Sequence, residues 1–478
     1  MISRKFFLLR VFSSFFYFSF YFLFSFFFLA LTAGSVRMVF AQENPSASVK
    51  ANPRMDLHQA VETALKENPR IKAGHWAVKA AKEGVGVSKG HFYPSLSFES
   101  RYMRTDNPTY VFMAKLDQQR FAASDFQISS LNSPPAINDF QDSFRLDQVI
   151  YSRRLIAGER MSKEDEAAEG LDFERLKEKV TMDTVKAYLG VITARNFLDA
   201  ADKALNDTGE HEKLAKLRYN SGLGMYSDVL RADAAQKEAL NGVALAQENY
   251  EVAKRALGLA IGETQSVDAG GISYEIGLKP IAFYYASAEG RPDIKAIEAG
   301  YKKAENGVEF ASSGYFPEVG VSGQYQWNDH RSPLDGEGSS YMATAFLRWN
   351  LFDGTTREHE VSQAKARAMQ AHEGLEGAKK EAVFMVFAAY QDVLAAQKSL
   401  AYARAELDSA KEGRRLVELR YKNSLSPLID VLDSQVMVEK ARTGVIEAQN
   451  SLIEKFFMLG FESGRISEFI QKAGQNKE

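Results

Sequence analysis

Two kinds of hydrophobic periodicity alternate along the chain, and each occurs twice. Stretches with helical spacing at about 153–218 and 355–420 contain no proline and little glycine. Either stretch would form a helix about 100 Å long, far beyond an ordinary globular helix. Before each stretch, shorter segments alternate apolar and polar residues with a period of two, which is typical of β-strands with one apolar face. The pattern therefore predicts a mostly α-helical protein with a small sheet.

Four strands are predicted, in two hairpins, at about 94–104, 139–151, 317–328 and 340–352. A single alternating segment usually belongs to a half-buried sheet in a soluble domain. Four segments of about 10 residues, each apolar on one side and containing aromatic residues, fit the strands of a membrane barrel better. A lone four-stranded sheet cannot close its own edges, so closure would need strands from other copies of the chain.

The chain also contains a tandem duplication. The sequence PRIKA at 69–73 recurs as PDIKA at 292–296, and LRY at 217–219 recurs at 419–421. The offset between the copies is larger for the first pair than for the second, so the first copy holds an insertion, which lies in its hairpin loop. A unit of about two hundred residues is too long for a solenoid repeat. The predicted organisation is a first repeat at 42–264, a connection at 265–287, a second repeat at 288–462 and a tail at 463–478.

The N-terminal segment differs from the rest of the chain, because 13 of the 33 phenylalanines lie within 1–41. It begins with the basic residues Arg4, Lys5 and Arg10, continues as an apolar run and ends in a possible cleavage site at Ala41. This arrangement predicts a secretory signal peptide at 1–41. The alternative is an uncleaved membrane anchor, because the apolar run is long enough to span a bilayer. Both alternatives predict export.

Composition and motifs exclude several other functions. A balance of 59 Lys and Arg against 62 Asp and Glu argues against nucleic acid as the main partner. The absence of Cys excludes a disulfide scaffold and a thiolate metal site. The seven His lack the spacing of a metal motif, and a GxSxG pattern at 86–90 lies in a helical stretch rather than in a strand-to-helix turn. We therefore predict no enzyme, no catalytic residue, no cofactor and no metal site.

Strand hairpins followed by a long helix out and a long helix back, all in duplicate, resemble the TolC family of outer-membrane efflux and secretion channels. The residues that carry the resemblance are 148–151 (QVIY), 349–354 (WNLFDG), 419–421 (LRY) and 429–433 (IDVLD), and the likeness extends over about 55–460. It implies a homotrimer in the outer membrane. Three sets of four strands would close a 12-stranded β-barrel, standing on an α-helical tunnel of long antiparallel coiled-coil helices in the periplasm.

The resemblance also implies a function: the passive exit duct of a tripartite efflux or type I secretion system, gated at its periplasmic helical tips. Its partners would be outer-membrane lipid, a periplasmic adaptor protein and an inner-membrane pump that supplies the energy. The alternative is a periplasmic coiled-coil adaptor or scaffold without a pore. Heptad spacing of small residues such as Val438, Ala441 and Val445 predicts close helix pairing, which is compatible with both the duct and the scaffold.

The resemblance assigns roles to four residues at the turns between the long helices. Asp430 and Asp433 align with acidic residues that narrow the tunnel entrance in relatives of this type. Tyr421 is similar to a tyrosine that bonds an aspartate of the other turn, here Asp228, and holds the closed state. The sequence departs at Ser426, where the best-known relatives have a lock-forming arginine.

The charge of Asp430 and Asp433 supports a role at the tunnel entrance, and this argument does not depend on the residue roles known in the family. Three-fold symmetry would place six carboxylates around one opening, where they would attract cations and select against anions. The ordinary alternative is that Asp228 and Asp430 are helix N-caps, a common use of Asp after a loop. We expect capping for Asp228 more than for Asp433, which lies inside a helix.

Overall fold

The computed structural model describes residues 54–272 and 276–475, so the predicted signal peptide lies outside the described residues. Within them the chain is mostly helical and contains one small antiparallel sheet, which confirms this part of the predicted fold class. No helix in the described ranges has both the length and the apolar character needed to cross a membrane.

The helices and strands of the described residues follow in this order: α1 (Leu57–Glu67), α2 (Pro69–Gly90), β1 (Ser95–Thr105), α3 (Pro108–Asp117), α4 (Ile128–Asn132), β2 (Ile137–Tyr151), α5 (Arg153–Asn220), α6 (Tyr226–Ile261), α7 (Ile281–Ala288), α8 (Pro292–Ser312), β3 (Glu318–Asp329), β4 (Gly338–Arg348), α9 (Thr356–Lys422), α10 (Leu428–Glu462) and α11 (Ile466–Gln475). Each repeat thus contributes two strands, a very long helix and a shorter returning helix.

The long helices α5 and α9 contain 68 and 67 residues, and each pairs with the helix that follows it. At 1.5 Å per residue they are about 100 Å long. The returning helix α10 buries an apolar seam that includes Val431, Val438 and Ala441. The equivalent seam of α6 buries Val229 and Ala232. Small buried residues let the paired helices approach closely along their length.

The sheet has the order β1-β2-β3-β4 and is antiparallel throughout, so β1 and β4 are its two edges in the described chain. Aromatic rings cover one face across neighbouring strands: Phe98 lies 5.1 Å from Phe144, and Phe144 lies 5.7 Å from Trp327. The fourth strand ends at Arg348 rather than at the predicted residue 352. It ends early because Trp349 leaves the ladder and its indole N–H donates to the Tyr315 carbonyl at 3.2 Å.

The main hydrophobic core lies midway along the long helices, where α1, α7 and α11 pack around them. Tyr188 of α5 is fully buried there, together with Leu257 of α6 and Phe457 of α10. This core joins the two repeats. The turns at the ends of the hairpins lie about 45 Å from it, as judged from the 1.5 Å rise between Tyr188 and Tyr219. Contacts between the hairpins near those turns must therefore come from local residues.

Candidate functional site at the helical tips

Both long hairpins turn with the same backbone arrangement. Gly222 in the first turn and Ser424 in the second adopt positive φ angles of 71° and 60°. The Leu223 N–H donates to the Arg218 carbonyl at 2.9 Å, and the equivalent bond in the second turn is 2.8 Å long. These bonds satisfy carbonyl groups left free at the helix ends. The duplication seen in the sequence therefore extends to the conformation of the turns.

Tyr421 lies between the two hairpins and is only 5% exposed. Burial raises the pKa of Tyr421, the Arg218 guanidinium opposes that change, and the Asp228 carboxylate adds to it. Asp228 is thus close enough to act on Tyr421 electrostatically, but no hydrogen bond between them occurs in the described chain. The apolar residues buried with Tyr421 come from both hairpins and are Ala215, Val229, Ala232, Leu428 and Val431.

Arg218 of α5 makes the direct connection to the second hairpin. Its guanidinium donates to the Tyr421 carbonyl at 3.3 Å and to the Ser424 hydroxyl at 2.9 Å. The same group lies 4.8 Å from the centre of the Tyr421 ring, within the range of a cation–π interaction. Arg218 was not among the predicted site residues, although it is the central residue of the first LRY. Ser426 does not replace the missing arginine, because its buried hydroxyl has no hydrogen-bond partner in the described structure.

A second polar connection lies further from the turns. Arg414 of α9 donates to Asp207 of α5 at 2.7 Å and to the side chain of Gln435 in α10 at 2.6 Å. Gln435 is 2% exposed and donates to the same Asp207 oxygen at 3.0 Å. Three helices from both hairpins thus share one closed set of hydrogen bonds. These residues are far apart in sequence, and no spacing pattern points to them.

His211 packs beside this network, one helical turn after Asp207, and is 9% exposed. Burial lowers the pKa of His211, while Glu418 and Asp207 raise it and Arg414 lowers it further. The burial effect is the largest of these. His211 is therefore a neutral imidazole at neutral pH.

Asp430 and Asp433 lie on α10 three residues apart, so their side chains share one face of the helix. Both side chains are exposed, and neither carboxylate forms an ion pair or hydrogen bond with the described residues. Their carboxylates are therefore available to groups outside this protomer. The structure does not test their predicted place at a constriction, which stays a prediction.

The alternative that Asp228 and Asp430 are N-caps, which we favoured for Asp228, is wrong. The N-cap residues are Met225 for α6 and Pro427 for α10, and neither cap has a side-chain hydrogen bond. Each aspartate instead lies in the first turn of its helix, at the third helical position. There it interacts favourably with the positive end of the helix dipole without capping it.

Comparison with known proteins agrees with this architecture. A model of the family described as "Outer membrane efflux protein" matches residues 283–459. Protein CyaE of Bordetella pertussis is 29% identical over 279 residues, which cover 57% of this chain and 58% of CyaE. Outer membrane protein TolC of Vibrio cholerae is 26% identical over 199 residues, covering 40% of this chain and 43% of TolC. The chain thus spans less than two thirds of the length of either relative.

The chain is similar to the TolC family of outer-membrane channels. Among solved structures, outer membrane protein VceC of Vibrio cholerae superposes with a TM-score of 0.70 at 16% sequence identity, over 85% of this chain and 96% of VceC. At that identity the superposition shows a shared fold. The similarity to these outer-membrane proteins confirms the predicted outer-membrane location.

Proposed function

We propose that this chain is a TolC-family channel that forms the passive exit duct of a tripartite efflux or type I secretion system. One observation carries the proposal: the same chain holds two helices about 100 Å long, each paired with a shorter returning helix, and a four-stranded sheet with two open edges and an aromatic face. The helices suit a tunnel through the periplasm. The sheet suits a structure that closes only with other copies.

The exposed residues of the sheet support insertion into lipid. Leu96 is 68% exposed, Tyr325 50% and Tyr341 84% in the single chain. Open edges and exposed apolar side chains are a liability for a sheet in water. Three copies would pair the edges into a 12-stranded β-barrel, with the aromatic face toward outer-membrane lipid. The homotrimer therefore resolves both features at once.

The contacts at the tips support a closed resting state. Arg218 and Tyr421 join the hairpins near the turns, and the Asp207–Arg414–Gln435 network joins them further up. We assign Tyr421 and Asp228 to this lock on the ground of their electrostatic proximity. Opening the entrance would separate the hairpins and break these contacts. The free energy needed to break these contacts would come from a periplasmic adaptor that binds at the tips and is coupled to an inner-membrane pump.

Reconstitution of the mature protein into planar lipid bilayers tests the proposed duct. We expect a trimer that requires detergent for extraction and conducts ions after insertion. The competing function is a periplasmic adaptor or scaffold without a pore, which has no need for an aromatic strand face. A monomer that fractionates with soluble periplasmic proteins and shows no conductance would favour the scaffold.

The predicted constriction is tested by the double substitution Asp430→Ala and Asp433→Ala. If these carboxylates ring the entrance, their removal weakens block by multivalent cations added on the periplasmic side by about tenfold or more, because several charges act on one ion. Glu447→Ala, an exposed acid further along α10, serves as the matched control. Unchanged block in the double variant would reject the assignment and leave the duct itself untouched.

A further inference from the structure

The loop between β3 and β4 brings together three side chains that can ligate a metal ion. Asp329 ends β3, His330 follows it, and Glu337 precedes β4. One donor atom from each of the three lies within 4.8 Å of the other two. None of these residues takes part in the tip contacts.

Asp329 supplies the observation that points to a cation. The residue is fully buried, and its Oδ1 accepts hydrogen bonds from the backbone N–H groups of Arg331 at 2.5 Å and Ser332 at 3.2 Å. Its Oδ2 has no hydrogen-bond partner among the described residues. A buried carboxylate oxygen without a partner is costly, and a bound cation would remove that cost.

Glu337 is already oriented for ligation. Its Oε1 accepts a hydrogen bond from Arg331 at 2.8 Å, which leaves Oε2 beside the Nδ1 of His330 at 2.6 Å. Outer partners of this kind commonly fix a ligating carboxylate. A tetrahedral ion with bonds of about 2.0–2.1 Å holds its ligand atoms about 3.3 Å apart. To bind the ion, the His330 Nδ1 and Glu337 Oε2 atoms would therefore have to move apart only slightly.

The local charge also favours a cation. Asp142 of β2 is fully buried, and its Oδ2 accepts the N–H of Leu334 in the same loop at 2.7 Å. Its Oδ1 also lacks a hydrogen-bond partner in the described part of the chain. The carboxylates of Asp142, Asp329 and Glu337 thus outnumber the two guanidinium groups beside Glu337, which belong to Arg331 and Arg120.

Although the sequence alone indicates no metal site, we propose that Asp329, His330 and Glu337 bind a divalent transition-metal ion of the zinc class. One imidazole nitrogen with two carboxylate oxygens is a donor set typical of zinc, whereas calcium and magnesium prefer oxygen ligands alone. Binding requires the His330 nitrogen that faces Glu337 to carry no proton, and a neutral imidazole meets this requirement when its proton is on the other ring nitrogen. In the orientation of the proposed duct, this loop faces the cell exterior.

Isothermal titration of the detergent-solubilised full-length mature protein with Zn²⁺ tests the site, using protein without a histidine tag and treated with chelator. We expect one Zn²⁺ per chain, no competition by excess Ca²⁺ or Mg²⁺, and at least about tenfold weaker binding in His330→Ala and in Glu337→Gln. Co²⁺ should quench the fluorescence of Trp327, whose ring packs beside Gly336 in the same loop.

His58→Ala is the matched control, because His58 also lies beside a carboxylate, Glu62 at 3.7 Å, but on an exposed helix face. This variant should keep the wild-type stoichiometry. Equal Zn²⁺ binding by wild type and His330→Ala would show an adventitious ion only and would overturn the proposal. So would competition by Ca²⁺, or loss of binding in His58→Ala alone. Circular dichroism of each variant separates lost ligation from lost folding, and conductance tests the duct independently.

Discussion

The two helical tips contain the same LRY sequence in opposite environments. Tyr219 of the first tip is 45% exposed, whereas Tyr421, its counterpart in the second repeat, is 5% exposed. The two turns share their backbone conformation, so the difference does not come from local folding. The difference in exposure comes from the residues that the opposite hairpin packs against each tyrosine.

The arginines of the two LRY sequences differ in the same way. Arg218 reaches across to Tyr421 and Ser424, but Arg420 is exposed and makes no side-chain contact of this kind with the described residues. Tyr219 instead lies 5.4 Å from Tyr226 within its own hairpin. One copy thus supplies the donor and the other the buried ring. The comparison teaches that duplicated segments can diverge in role through packing alone.

The largest expected effect comes from removing the buried ring. Tyr421→Ala should lower the free energy of local opening at the tips by about 3 kcal/mol, because it leaves a cavity in the apolar cluster around Val431. Tyr219→Ala should change it by less than about 0.5 kcal/mol, as expected for an exposed site. Hydrogen exchange of the amides in 417–431 of the detergent-solubilised protein measures the effect of both substitutions. Similar effects of the two substitutions would contradict the assigned asymmetry.

Removal of the crossing arginine should have the next largest effect. Arg218→Ala loses the two hydrogen bonds that its guanidinium makes to the second hairpin and a cation–π contact, together worth about 1–2 kcal/mol at this partly exposed position. If the chain forms the proposed duct, the open fraction of single channels in a bilayer should rise about tenfold. Arg420→Ala is the control and should leave it unchanged. Arg218→Lys should be intermediate, because lysine keeps the charge but not the planar set of donors.

Much of the fold could be predicted from the sequence because its signals are periodic and local. The proline-free stretch that became α5 and the alternating residues of β3 each encode their own conformation, and the duplication repeats the evidence. The end of β4 was misplaced because Trp349 continues the alternation while its side chain bonds to the Tyr315 carbonyl instead. That bond depends on tertiary structure.

The tip contacts were harder to predict because they join residues about two hundred positions apart. The resemblance to known channels pointed to Tyr421 and Asp228, but the guanidinium that touches Tyr421 is that of Arg218. The bonds between Asp207, Arg414 and Gln435 have no sequence signature, since each residue alone resembles a polar residue on a helix surface. Only the packing of three helices makes them one network.

A smaller effect, and one that depends on pH, is expected at His211 of the first hairpin. Burial keeps its pKa below the ordinary value of 6.5, so an opened tip binds more protons than a closed one as the pH falls. The closed state should therefore have its full stability above about pH 6.5 and lose stability as the pH falls through the lowered pKa. Hydrogen exchange at the tips should accelerate severalfold on acidification, and His211→Gln should reduce that dependence. His91→Gln, on an exposed residue, is the control; an equal loss of pH dependence there would point to another group.

The smallest effect is expected from exchanging the residues at the two positive φ angles. A Cβ at Gly222 meets no atom within 4 Å, so Gly222→Ser would add only the backbone cost of a side chain at φ 71°, no more than about 1 kcal/mol. Ser424→Gly relieves the same cost in the second turn but gives up the bond from Arg218, so its net effect should be near zero. Hydrogen exchange at each turn measures the effects of the two substitutions separately. A larger loss from Ser424→Gly than from Gly222→Ser would mean that the crossing hydrogen bond, rather than backbone conformation, determines the difference between the turns.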